Sequence, residues 1–218
     1  MNYNGFSLIN KIASLKIIIP AFIVLVLAEI LFTAVLMPGF SEATGGLSAL
    51  DMQAGFSYKE AYAQISAYGQ NGIKWYNLFQ LVDLLFPIAY GCFFAGSIAA
   101  LTIHLTRISE IKSAFKGNKA NTQNAGTSQV EHSPQGDGPA TKRLSVLRFL
   151  PLIPAAGAVF DLLENAGIFS MIRIYPNSFK MLANLVMIAG VLKFALLTVS
   201  IGILIILGAM LLIRRLFL

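Results

Sequence analysis

Four long apolar stretches, each carrying an ionisable residue inside it, constrain this chain more than any other feature. Segments of about 16–37, 77–105, 148–171 and 181–213 are each long enough for the ~20 helical residues that cross ~30 Å of hydrocarbon. Inside them sit Glu29, Asp83, the Asp161/Glu164 pair and Lys193. A charge at the centre of a bilayer costs roughly 2.5–3.5 kcal/mol even on lenient insertion scales, so such groups need partners, water or a task. Only 12% of the chain is charged and 56% is hydrophobic, where soluble domains carry about 25% charge. The fold class expected is therefore an all-α integral membrane protein, a four-transmembrane-helix bundle forming a single membrane domain over 1–218. The first stretch is longer than the ~7–15-residue core of a secretory signal and is broken by Glu29, so it reads as a retained helix.

The distribution of basic residues sets an orientation. Of the Lys and Arg residues, eleven lie in the N-terminus, the middle connection and the C-terminus, against four on the other side, Lys59, Lys74, Arg173 and Lys180. By the positive-inside rule both termini and the middle connection are cytoplasmic, in a multi-pass protein of the cell (plasma) membrane. The net charge of +6 is thus an orientation signal and points to no nucleic acid.

Residues 38–76 form the first outer loop, with Pro38-Gly39 expected to end the first helix. Within it, Ser57-Tyr58-Lys59-Glu60 matches a capping box, and Tyr58, Ala61, Tyr62, Ile65 and Tyr68 repeat at helical spacing. This predicts a short amphipathic helix on the outer surface, followed by Trp75-Tyr76 as an interfacial anchor. Residues 117–142, rich in Gly, Asn, Gln, Ser and Thr without apolar period, read as a disordered cytoplasmic linker.

At ~1.5 Å per helical residue, Glu29, Asp83, Glu164, Asp161 and Lys193 all fall about 8–15 Å below the outer helix ends. That common depth predicts one shared site. Helical facing adds Asn165 beside Asp161 and Glu164, and Tyr90 on the Asp83 stripe, near Pro87. Four carboxylates against one ammonium are not tenable in a dry, low-dielectric region: protons stay on some, a cation binds, or water enters.

Several chemistries are excluded. The histidines, His104 and His132, cannot supply a zinc or bis-His haem site, and P-loop and dinucleotide fingerprints are absent. No metal and no cofactor is expected. Cys92 reads as a small buried apolar residue. Gly91, Ala95 and Ala99 repeat every four residues, a pattern for close helix approach, either inside the bundle or as a homodimer seam.

In plan, the four helices, internal termini and long first outer loop resemble claudin-type tetraspan proteins. The loop, however, lacks their Trp-Gly-Leu-Trp stretch and cysteine pair. The Glu in the first helix is similar to that of small multidrug exporters, which are far shorter. Three readings stay open. The first is proton- or cation-linked transport or binding of a small polar or amphipathic solute, with the bilayer and a small cation, proton or lipid as partners. The second is a structural tetraspan whose buried charges fix helix packing. The third is a membrane-embedded enzyme acting on a lipid by carboxyl/lysine acid–base chemistry.

Overall fold

The computed structural model describes residues 9–53, 55–123, 147 and 149–216, with side chains from 109 to 123 left aside. Among these residues every regular element is helical. In chain order they are α1 (Leu15–Leu31), a π-helical turn (Phe32–Leu36), α2 (Met37–Thr44), a 3₁₀ turn (Leu50–Met52), α3 (Tyr58–Asp83), α4 (Leu85–Gln123), α5 (Leu152–Ile174) and α6 (Lys180–Leu216). Four helical stretches are long and apolar enough to cross a membrane: Leu15–Thr44, Tyr58–Ile108, Leu152–Ile174 and Lys180–Leu216.

Pro38 does not end the first helix. It falls at the first turn of α2, where a missing backbone donor is harmless. The preceding π turn, Phe32–Leu36, absorbs the break in the hydrogen-bond ladder. The helix then runs on to Thr44 and stops at Gly45, whose φ of 69° is left-handed and which no side chain would favour.

The segment expected as a short amphipathic helix starts at Tyr58 and is helical as far as a break at Gly69. Its capping box is present: Ser57 Oγ accepts from the Glu60 N–H at 3.3 Å, and the Ser57 N–H donates to Glu60 Oε2 at 2.6 Å. Gly69, at φ 63° and ψ −177°, is not helical and divides α3 into two helical parts, 58–68 and 70–83, that meet at a kink. Trp75 and Tyr76 diverge from the anchor reading. Trp75 lies against Gly39, where an added Cβ would meet its ring at 2.5 Å, and Tyr76 is completely buried. At the other end of the second span, α4 runs through to Gln123, past the start of the expected linker; residues 124–142 of that linker, with His132, lie outside the described residues.

Helices α5 and α6 pack most extensively, with α4 against α1, α5 and α6. By contrast, α1 and α6 share isolated contacts at most. Gly91 sits against Ala158 of α5, where an added Cβ would approach to 2.9 Å, and Ala95 and Ala99 are buried. The small-residue stripe thus faces the inside of the bundle, where it allows a close approach of α4 to α5. Cys92 lies on the exposed side of α4, in contrast to the buried position expected.

One end of the bundle carries a cap made of α2, the following segment to Ser57 and the first turns of α3. Phe40, Tyr68, Tyr76 and Phe79 form its aromatic centre, with Tyr68–Tyr76 centroids at 5.4 Å and Tyr76–Phe79 at 5.9 Å. Such pairs each contribute about 0.5–1.5 kcal/mol beyond burial. Gln64 Nε2 and the Tyr68 hydroxyl both donate to the Ser48 carbonyl, at 2.7 and 2.9 Å, pinning the segment in place. Tyr175, between α5 and α6, donates to Ser66 Oγ at 2.7 Å, and the Phe179 N–H donates to Tyr62 at 3.0 Å. The cap is thus tied to both halves of the chain.

Candidate functional site

The buried charges converge. Lys193 Nζ on α6 lies 3.1 Å from Asp161 Oδ1 and 2.6 Å from Glu164 Oε2 on α5. Asp161 and Glu164 are three residues apart, so one helical face presents both to the same ammonium. Asn165, on that face too, donates through Nδ2 to Asp83 Oδ2 of α3. Gln80, one turn before Asp83, donates through Nε2 to the Asn165 backbone carbonyl at 3.2 Å. Asp83, Asp161, Glu164, Asn165 and Lys193 are all buried. The Tyr90 hydroxyl of α4 sits among Asp161, Asp83 and Glu164 without a well-aligned hydrogen-bond partner.

Glu29 is placed differently. It is exposed on α1 and contributes to the rim of the site, one turn from the π turn. Its Thr33 neighbour donates to the Glu29 backbone carbonyl at 2.8 Å rather than to its carboxylate.

Sequence reasoning missed Asp51. The 3₁₀ turn of the cap packs on α5 and inserts Leu50 and Asp51 into the interior. There the Tyr76 hydroxyl donates to Asp51 Oδ1 at 2.7 Å. Burial pushes the Asp51 carboxyl above the ordinary carboxylate range, against the opposing pull of Lys193 and of the Tyr76 hydroxyl. The one signal available was an acid inside the apolar run Ala49-Leu50-Asp51-Met52.

These groups line a cavity of about 240 Å³. Glu29, Asp51, Asp83 and Asp161 supply its acids, and Lys193 reaches it from α6. Its apolar wall comprises Phe32, Phe79, Phe86 and Phe194. Met52, Glu29 and Phe194 at its edge are exposed, which opens the cavity sideways between α1 and α6, the two spans that scarcely touch. With Glu164 counted, five carboxyl groups face one ammonium. Among the described residues no group of three or more His, Cys, Asp or Glu side chains is arranged to hold a metal ion.

Gly190 makes the ion pair sterically feasible. A Cβ there would run into the Glu164 carboxylate, with its Cδ at 3.0 Å. Gly190→Ala is expected to destabilise the fold by about 1–3 kcal/mol, the usual range for overpacking. A lowered melting temperature in detergent, partly restored by adding Glu164→Asp, would check this.

Asp51 gives the cap a pH dependence of definite sign. Its folded-state value is raised above the unfolded one, so the folded form holds that proton more tightly. The stability it contributes is present at acid pH and is lost as pH rises through the raised value, above ~4. Melting temperatures from about pH 4 upward should fall less steeply in Asp51→Asn than in the parent chain; parallel curves would refute a buried Asp51.

Searches with family models, among curated proteins and among solved structures find no match for this chain.

Proposed function

We propose that the chain is a multi-pass membrane protein, with both termini cytoplasmic, that binds an amphipathic cation entering sideways from the outer leaflet of the plasma membrane. The carrying observation is the chemistry of the α1–α6 cavity: the carboxyl groups of Glu29, Asp51, Asp83 and Asp161 line it together with the rings of Phe32, Phe79, Phe86 and Phe194. Carboxylates neutralise an organic ammonium, and aromatic rings attract it through their quadrupoles. About 240 Å³ accommodates a compact cationic head, and the sideways opening lets an alkyl tail remain in lipid.

Four carboxyls lining the cavity and Glu164 behind them cannot all stay ionised beside one ammonium in a low-dielectric interior, so binding of a cation displaces protons. Asp51, already raised by burial, is the natural holder of one such proton. Exchange of protons for an organic cation is the elementary step of proton-linked transport.

Two observations weigh against the other readings. Lys193 is engaged by both Asp161 and Glu164, leaving no free amine for lysine acid–base chemistry on a lipid. A pair serving only helix register needs no cavity beside it, yet one lies against Asp161 and Lys193.

The deciding experiment measures retention of dodecyltrimethylammonium, dodecyl sulfate and dodecanol by the purified protein in phosphatidylcholine nanodiscs. Retention of the cation should exceed that of both others at least tenfold and should release protons to a weakly buffered medium. Equal retention of all three would refute the reading.

A further inference from the structure

Tyr90 of α4 lines the acid-lined cavity and is only 2% exposed, yet its hydroxyl has no well-aligned hydrogen-bond partner. It stands among Asp161, Asp83 and Glu164, so acceptors surround it. Almost every buried polar group in a folded interior is paired. A donor left idle beside carboxyl oxygens points to a second arrangement in which it is engaged.

The other buried acids of the cavity show what that arrangement is. Asp51 accepts from the Tyr76 hydroxyl at 2.7 Å, and Asp83 accepts from Asn165 Nδ2. Each has a neutral donor of its own. Asp161 accepts from the Lys193 ammonium at 3.1 Å, while the phenol beside it stays unengaged. Lys193 is not shared evenly, because it lies closer to Glu164, at 2.6 Å. Glu164 does not line the cavity and Asp161 does. The looser of the two ammonium contacts therefore belongs to the acid that an incoming cation meets.

We infer, building on the cation reading, that Tyr90 is the positioning residue of the site: when a cation draws the Asp161 carboxylate off Lys193, the Tyr90 hydroxyl donates to that carboxylate and holds it, while Lys193 stays on Glu164. The exchange at Asp161 is of hydrogen bonds alone. A hydrogen bond to an ionised acceptor is among the stronger kinds, and a hydroxyl rotates to meet its acceptor. The ring itself is buried and packs edge-to-face on Phe86, with centroids 5.9 Å apart, so the donor is in place before the cation arrives.

Tyr90→Phe keeps the ring and removes only the hydroxyl, which makes it the test. In phosphatidylcholine nanodiscs it should weaken retention of dodecyltrimethylammonium about tenfold, the scale of one hydrogen bond to an ionised group. In an Asp161→Asn background the same change should cost less than twofold, whereas in a Glu29→Gln background it should cost the full amount. Saturating cation should also shift the near-ultraviolet tyrosine absorption of the parent chain to longer wavelength, as a phenol does on donating to a carboxylate. Tyr90→Phe and Asp161→Asn should each remove that shift. Without cation, Tyr90→Phe should melt no lower than the parent chain, because the hydroxyl it loses has no partner there.

A lower melting temperature in that last comparison would mean a hydroxyl already bonded before the cation binds. Equal losses of retention in both backgrounds would mean that Tyr90 acts apart from Asp161. Either result overturns the inference. So does retention unchanged by Tyr90→Phe in a parent chain that prefers the cation, a result that leaves the cation reading standing. A parent chain without that preference overturns both.

Discussion

Lys193→Met is expected to destabilise the folded bundle by about 3–5 kcal/mol, the cost of stripping the partner from a buried charge. The ammonium lies within 3.1 Å of Asp161 and 2.6 Å of Glu164, and its side chain is only 11% exposed. Methionine is close in length and fills the same volume, so lost packing contributes little. What remains is two carboxyls facing each other across one helical turn, with Asp83 and Asp51 nearby. The triple variant Lys193→Met/Asp161→Asn/Glu164→Gln should recover most of the loss, since the whole charged unit is then removed. Thermal or denaturant unfolding in detergent measures both, and a double-mutant cycle isolates the pairing. A Lys193→Met protein melting with the parent chain would mean that the ammonium is not held between these acids.

Asp161→Asn should weaken retention of dodecyltrimethylammonium by about 10–100-fold, or about 1.4–2.7 kcal/mol. Asp161 both lines the cavity and touches Lys193, while Glu164 holds Lys193 without lining it. Asparagine preserves size and leaves the shorter Glu164 contact intact, so the fold should survive the change. Glu29→Gln, at the exposed rim, should cost only a few-fold, because solvent-exposed charges are screened. Reversal of that order would locate the cation at the rim instead of the interior. Loss of folding in Asp161→Asn would favour a packing role for the cluster.

The helical character of the chain and the convergence of Asp83, Asp161, Glu164, Asn165 and Lys193 were legible because they depend on local rules. Depth follows from rise per residue, and facing follows from helical period. Tyr90 was reached by the same stripe logic. Glu29 matched in depth but not in burial, because facing depends on which neighbour a helix finds, and α1 finds α4 and not α6. Asp51 was out of reach: its burial arises from a 3₁₀ turn folding back onto a helix about a hundred residues away, a contact no local pattern encodes. Pro38 misled for a related reason. Proline breaks a regular α ladder, but a widened turn beforehand removes the conflict, and nothing in the composition announces such a turn.

That π turn has a further consequence for the geometry of the first span. An extra residue in one coil offsets what lies above it from what lies below by about 100° of helical phase. The half bearing Glu29 and the half bearing Phe40 therefore answer to separate demands: one brings an acid to the gap beside α6, the other seats a ring inside the cap. An uninterrupted α-helix would have to compromise between the two bearings.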